Sequence, residues 1–346
     1  MSSSARIAVA VATTVTQTFM ADIQSIDDRL EVRYEPDLLS PAPWPAAGRA
    51  SGFARTEVHR RRWDQLIGGA EVVFGPDSVD DLAEVLRVGR RLRWLQSTIP
   101  SVAERLRTAK PATPLAEDVT ITGTGSILAT ALAEFGLFGV LAFADGAPGG
   151  TFGASPTRPV RQLAGQTMLV VGLGPVGRAV ARLAAAFGMH VNAINRTGDG
   201  AAAGVESIRP PWFIGDLLPV SHAVVLALPE TERTVGLIGA RAIDRMRSDA
   251  VVVALGAGRV IDESALVAGL QAGQPAAAVF DGYAGRALSA DSPLRRLPST
   301  LVAQAPARPT HTDDRITAVF LENLRRYLRG GELLNPVPIA NRGVRG

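Results

Sequence analysis

The residues with the most readable chemistry are Gly172, Gly174 and Gly177, spaced G-x-G-x-x-G in MLVVGLGPVGRAVARLAAAFG. The spacing alone is a weak signal. Here an apolar strand runs into the first glycine and a small-residue helix opens at the last, the context in which this spacing binds a dinucleotide. Gly172 permits the tight turn and Gly174 lets the backbone approach a pyrophosphate. Gly177 lets the helix pack against the strand, and the helix N-terminus favours the anion. An NAD-preferring loop would place an acid about 20 residues on, for the ribose hydroxyls. The strand HVNAIN ends instead in Asn195, Arg196 and Thr197. Arg196 can pair with a 2′-phosphate and Thr197 can hydrogen-bond it, so NADP(H) is preferred over NAD(H). The competing readings are an ordinary strand-to-helix turn for the glycines and, for Arg196, a side chain that merely faces water.

The chain has four histidines. His190 and His222 each begin a strand, whereas ligands of such sheets bind beyond the strands' carboxyl ends. His59 lies in the arginine-rich HRRRW and is expected to be exposed. His311 follows an apolar run and a proline in LVAQAPARPTHTD, and two readings compete for it. It is a proton donor, or it sits beside Thr310 or Thr312 capping the last helix, with Asp313 and Asp314 favouring the helix dipole. The capping reading is the plainer one. The absence of cysteine excludes disulfides, thiolate metal sites and cysteine nucleophiles. Lys110 is the sole lysine, which removes Schiff-base and P-loop lysine chemistry almost everywhere. No metal site is expected.

The elements that must position these residues alternate between short apolar strands and helical patterns, the signature of parallel βα units. Residues 6–12, 29–35, 71–75 and 91–97 read as strands, with SVDDLAEVLRVGRR as a helix among them. A second series follows at 167–174, 190–195, 222–228, 250–256, 276–281 and 299–305. Its strands are nearly continuous apolar runs, as expected for a sheet covered on both faces. Residues 127–145 are apolar nearly all round and predict a buried helix. At 346 residues and 47% hydrophobic, the chain has room for two packed domains, with a cleft between them as the default binding site.

No uninterrupted apolar run of about 18 residues appears, so no membrane span is expected. The N-terminal apolar stretch lacks a basic region ahead of it and reads as the first strand, which makes the cytoplasm the default location. The net charge is +3. Acids are interspersed throughout the chain, so the arginine clusters at 59–63 and 87–94 read as solvated helix faces and no nucleic-acid partner is expected.

Several blocks are similar to the D-isomer-specific 2-hydroxyacid dehydrogenase family, and most of all to its glyoxylate/hydroxypyruvate reductase branch. They are LRWLQST, ALAEFGLFGVLAFAD, ALPETERTVGLIGARAIDRMRSDAVVVALGAGRVIDESALVAGLQAG, ADSPL and FLENLRRYLRGGELLNPV. The resemblance implies an α/β protein of two doubly wound parallel-sheet domains. Residues 1–104 and 310–346 would form a flavodoxin-like substrate domain, and 105–309 a Rossmann dinucleotide-binding domain. It implies a homodimer through the cofactor domain and a small-molecule substrate. Its cofactor contacts carry over to Gly172, Gly174, Pro175, Val176, Gly177, Asn195, Arg196, Thr197, Leu228, Pro229, Thr234 and Gly256, with Asp281 near the nicotinamide amide.

The family reduces a 2-keto acid with an arginine that holds the substrate, a histidine that protonates the forming alkoxide and a glutamate that supports the histidine. Hydride arriving at a carbonyl carbon builds negative charge on oxygen, which must be neutralised. All three positions depart here. The family's A-R-G-G corresponds to residues 256–259, so Ala257 stands at the arginine. Alignment on ADSPL puts Arg286 at the glutamate, and Ala307 stands at the histidine. The substrate loop departs as well, with Pro100 and Ser101 where small residues are usual. Arg259 and His311, two and four residues past the lost positions, are candidate replacements together with Arg286. The resulting expectation is an NAD(P)H-dependent oxidoreductase with an atypical active site, passing hydride to a carbonyl or imine-like carbon. The alternative is a catalytically silent NADP(H)-binding regulatory protein.

Overall fold

The computed structural model describes residues 6–40, 53–76, 78–99, 102, 106, 119–124, 127–144, 161–256, 258–281, 288–289, 291–303 and 312–337. The chain divides into two compact units, Met1–Ile127 with Thr310–Gly346, and Leu128–Pro309.

The first unit holds a five-stranded parallel sheet of β1 (Ile7–Val11), β2 (Leu30–Tyr34), β3 (Val72–Phe74), β4 (Trp94–Gln96) and β5 (Thr120–Thr122). The spatial order is β2-β1-β3-β4-β5, the flavodoxin-like order. Because β5 hydrogen-bonds to β4, this unit runs past residue 104 to Ile127. Side chains alternate across the sheet, as strand geometry requires. Val9, Val11, Val72 and Phe74 face one side, where Phe320 of the helix Thr312–Leu328 packs 4.6 Å from Phe74 and 5.1 Å from Trp94 between ring centroids. Ala10, Val73 and Leu95 face the other, against Trp63 and Leu66 of the helix Glu57–Gly68 and Leu82 and Val85 of the helix Val79–Val88. Threonine or serine caps both of these helices, Thr56 accepting from His59 N–H and Ser78 from Asp81 N–H. His59 itself is half-buried rather than exposed. In the same layer Arg55 is buried between Asp81 and Glu84, at 2.5 and 3.1 Å, with its guanidinium 3.7 Å over the Trp63 ring. Arg61 pairs with Glu57, and Arg62 with Glu35 and Asp37.

The second unit holds seven parallel strands: β6 (Thr167–Val171), β7 (His190–Ile194), β8 (Ser207–Arg209), β9 (Ala223–Leu226), β10 (Val251–Ala254), β11 (Ala277–Phe280) and β12 (Thr300–Val302). Their order is β12-β11-β10-β9-β6-β7-β8. Strand order therefore reverses between β6 and β9, and ligands of such sheets bind beyond the carboxyl ends at this reversal. Val170, Val225, Val253 and Val279 face the helices Ala129–Ala144 and Pro175–Ala186, while Leu169, Val224, Val252 and Phe280 face Ile243, Leu266 and Leu270. Both faces are apolar because both are covered. Each such side chain contributes roughly 1.5–3 kcal/mol on burial.

One expectation is corrected here. The helix Ala129–Ala144 is not buried all round: Phe138 and Leu141 remain 49% and 37% exposed. The helix lies on the sheet through its small residues. A Cβ at Gly139 would stand 2.6 Å from the Val279 side chain, so the helix backbone rests directly on that valine. Only one face of the helix is used in this way, and the opposite face, with Glu134, Phe138 and Leu141, stays open. No helix among the described residues is long and apolar enough to cross a membrane.

Candidate dinucleotide site

At the carboxyl end of β6 the chain turns through Gly172, whose φ is +101°. That angle disfavours any side chain, and a Cβ there would meet Ala227 O at 2.5 Å. The helix Pro175–Ala186 starts at once, with Gly174 as its N-cap and no side chain bonded to its first N–H groups. Pro175 at the first position removes a donor that would otherwise have no partner. A Cβ at Gly177 would lie 1.8 Å from Gly172 O, so the helix seats directly on the turn. Over Gly174, by contrast, a Cβ would meet nothing within 4 Å. The loop thus presents an uncapped helix N-terminus, flanked by Val176, with an open approach to its backbone. An anionic diphosphate needs both features.

Beyond β7 the chain turns through Asn195–Gly200. Asn195 shapes this turn: its Oδ1 accepts the N–H groups of Thr197 and Gly198 at 3.1 and 2.6 Å, and its Nδ2 donates to Asp199 O at 2.8 Å. Arg196 and Thr197 are left exposed. The asparagine is a scaffold for the turn, and the two residues after it are the ones presented.

Beyond β9, Leu228 is half-buried and Pro229 exposed. Thr234 folds this loop back on itself. Its Oγ1 donates to Pro229 O at 2.7 Å and accepts Thr231 N–H at 2.7 Å. Glu230, between them, was not foreseen from sequence. It is only 8% exposed, and its Oε1 accepts the backbone N–H of Arg259 at 2.9 Å. The only signal was an acid placed just after a strand, and its partner lies 29 residues away.

The segment after β10 is held at both ends by acids from the neighbouring strands' loops. Asp281, at the carboxyl end of β11, accepts Gly256 N–H through Oδ1 at 3.0 Å, and Glu230 holds Arg259. Arg259 O also accepts Gly236 N–H at 2.9 Å. Its guanidinium is exposed and forms no ion pair among the described residues. The second oxygen of Asp281, Oδ2, is buried without a hydrogen-bond partner. Burial pushes this carboxyl up to about 6, against the opposing pull of the Gly256 N–H. A buried acceptor without a donor is costly, and a ligand amide would relieve it.

The structure therefore brings Gly172, Gly174, Pro175, Val176, Gly177, Asn195, Arg196, Thr197, Leu228, Pro229, Thr234, Gly256, Arg259 and Asp281 to one edge of one sheet. Arg286 and His311, proposed from sequence for catalysis, lie outside the described residues, as do Pro100, Ser101, Ala257 and Ala307. His190 and His222 lie at the opposite, amino edge. His190 Nδ1 is 2.7 Å from Glu206, and His222 Nδ1 accepts Thr167 N–H at 3.1 Å. No group of histidine, aspartate and glutamate suited to a metal ion occurs among the described residues.

Residues 142–304 match the family profile described as D-isomer specific 2-hydroxyacid dehydrogenase, NAD binding domain. The second unit carries that domain. A glyoxylate reductase of Korarchaeum cryptofilum is 34% identical over 170 residues, covering 48% of this chain and 50% of that protein. The chain spans about half the length of the curated relatives it matches. Among solved structures, a D-isomer specific 2-hydroxyacid dehydrogenase from Xanthobacter autotrophicus Py2, in complex with NADPH and MES, superposes with a TM-score of 0.72 at 24% identity, over 97% of this chain and 98% of that one. A family protein from Aeromonas salmonicida also reaches 0.72, at 20% identity, over 97% and 100%. The fold of these solved structures thus extends over nearly the whole chain, while the family profile covers residues 142–304 and sequence similarity to the curated relatives about half of the chain.

Proposed function

We propose that the protein is an NADP(H)-dependent oxidoreductase of the 2-hydroxyacid dehydrogenase type, passing hydride to a carbonyl or imine-like carbon through an altered substrate site. The observation that carries this reading is Asp281 Oδ2, a buried acceptor that lacks a donor at the edge where the glycine loop also leaves its helix N-terminus open. A nicotinamide carboxamide has the N–H that Oδ2 lacks, and a pyrophosphate has the charge that the helix N-terminus favours. Leu228 and Pro229 would flank the nicotinamide, and Arg196 and Thr197 would favour a 2′-phosphate. The bound cofactor would supply the hydride. Arg259, on its fastened backbone, would draw an anionic substrate in and stabilise charge growing on oxygen. Arg286 and His311 complete the proposed set. An iminium-like substrate demands less of a proton donor, because its nitrogen already carries the charge that hydride transfer removes.

The test is cofactor titration followed by steady-state assays with NADPH against 2-keto acids, aldehydes and imines. Turnover of any of them supports the reading. Bound NADPH without turnover on the whole panel would sink it and favour the second reading, a silent NADP(H)-binding regulator. That alternative draws on Ala257 and Ala307 standing where the family resemblance expects arginine and histidine. It predicts a change of shape or association on NADPH binding, read by solution scattering.

We also propose a homodimer through the cofactor unit, since the open face carrying Phe138 and Leu141 lies on its outer helix. Phe138→Glu is expected to halve the mass measured by light scattering. An unchanged mass would locate any dimer contact elsewhere.

A further inference from the structure

We propose that Arg209 is a second arm of the grip on the cofactor's 2′-phosphate, reaching it from β8 beside Arg196. This rests on the NADP(H) reading above and extends it to a residue on another strand.

In the β7–β8 register, Arg209 stands opposite Ile194, and Arg209 O accepts Asn195 N–H at 3.2 Å. Neighbouring strands lie roughly 4.8 Å apart, so the two arginines leave adjacent strand ends with only Asn195 between Arg196 and the paired position. The loops that follow are pressed together: a Cβ at Gly198, where φ is +80°, would stand 2.5 Å from Pro210 Cδ. Relative movement of the two loops is therefore resisted. Asn195 fixes the turn on one side, and the pair Pro210–Pro211 stiffens the other.

The state of the Arg209 side chain supports a ligand role. It is exposed, and no carboxylate or carbonyl takes its guanidinium among the described residues. Elsewhere in this unit Arg161 and Arg247 hold Asp249, Arg178 donates to Ala201 O and Arg245 to Gly215 O. Arg209 instead lies over the ring of Phe213, 5.7 Å from its centroid. A guanidinium held over a ring by this cation–π contact keeps its N–H groups available. Those groups suit a phosphate monoester, which carries close to two charges at neutral pH and several strong acceptors. One arginine cannot saturate such a group, and two from adjacent strands can take different oxygens. The turn also carries an acid, Asp199, and a second cation helps to offset its repulsion of a phosphate.

The test uses the purified full chain. NADPH and NADH are titrated by fluorescence, and 2′,5′-ADP and 5′-AMP by calorimetry, against wild type, Arg209→Gln, Arg209→Lys and Arg196→Gln. Arg209→Gln is expected to lose roughly tenfold in affinity for NADPH and 2′,5′-ADP relative to NADH and 5′-AMP, the size of one exposed charge-assisted contact. Arg209→Lys is expected to recover part of that loss, and added salt to narrow the NADPH preference more in wild type than in Arg209→Gln. If Arg209→Gln keeps the full preference while Arg196→Gln loses it, the second arm is refuted and the NADP(H) reading survives. If wild type binds NADH as tightly as NADPH, both fail. If Arg209→Gln weakens all four ligands equally and lowers the melting temperature, Arg209 is a structural brace and the proposal is overturned.

Discussion

The two edges of the second sheet make opposite use of similar residues. At the amino edge polar groups find partners: His190 meets Glu206, His222 takes Thr167 N–H, and Arg161 and Arg247 converge on Asp249. At the carboxyl edge several do not, although Asn195, Glu230 and Thr234 are hydrogen-bonded. Asp281 keeps an orphaned oxygen, the helix at Gly174 starts without a side-chain cap, and Arg196, Arg209 and Arg259 pair with no carboxylate among the described residues. Fold stability alone would not favour the second arrangement, because an unmet buried acceptor costs about 1–3 kcal/mol. The lesson is that unmet valence, more than residue type, separates the binding edge from the supporting edge.

Substitutions can break this contrast, and the largest effect is expected at Gly177. Valine there collides with Gly172 O and must displace either the helix or the turn. Gly177→Val is expected to abolish measurable dinucleotide binding in calorimetry and to lower the melting temperature by many degrees. Retention of wild-type affinity would mean that the turn is not the diphosphate seat.

Next comes Asp281. Its carboxyl is raised from 3.8 to about 6, so the folded protein prefers the protonated form. Stability from that preference is complete below about pH 4 and is lost as pH rises through about 6, on the order of 3 kcal/mol in all. Cofactor should recover the loss, because the nicotinamide amide would donate to the carboxylate. The apo protein is therefore expected to melt lower at pH 7 than at pH 5 by this contribution, and Asp281→Asn to flatten the difference. NADPH affinity should weaken below pH 6 in wild type alone. A pH-independent affinity would argue that Asp281 does not touch the cofactor.

The smallest effects belong to the amino edge. Burial, with Arg247 nearby, holds the His222 imidazole below its usual value and keeps it neutral. Its contribution is present above pH 6.5 and fades as pH falls through the lowered folded value, since protonation would end its acceptance of Thr167 N–H. Denaturant midpoints of His222→Asn should thus depend less on pH between 7 and 5 than those of wild type. His190→Ala, at an exposed contact with Glu206, should shift stability by less than about 0.5 kcal/mol. Neither change should alter NADPH affinity, and a clear loss in either would erase the division between the edges.

The central strands of the second sheet were legible because burial on both faces demands unbroken apolar runs, as in Leu169–Val171 and Val251–Ala254. The glycine loop was legible because its geometry tolerates few alternatives. β5 and β8 were not foreseen: each is three residues long, lies at a sheet edge and carries threonine, serine or arginine in place of an apolar run. Missing β8 also hid Arg209, whose meaning comes from its register with β7. The exposure of Phe138 escaped notice because apolar composition does not say which face a sheet will take. Glu230 escaped because its partner is a distant backbone N–H, which no local pattern encodes.

The acids at either end of the Gly256–Arg259 stretch carry one more implication. A peptide moored at both margins keeps its course when the groups hung on it are exchanged. The side chain presented at Arg259 is thereby uncoupled from architecture, so a lineage, or a protein engineer, could trade it for another without first rebuilding the mount.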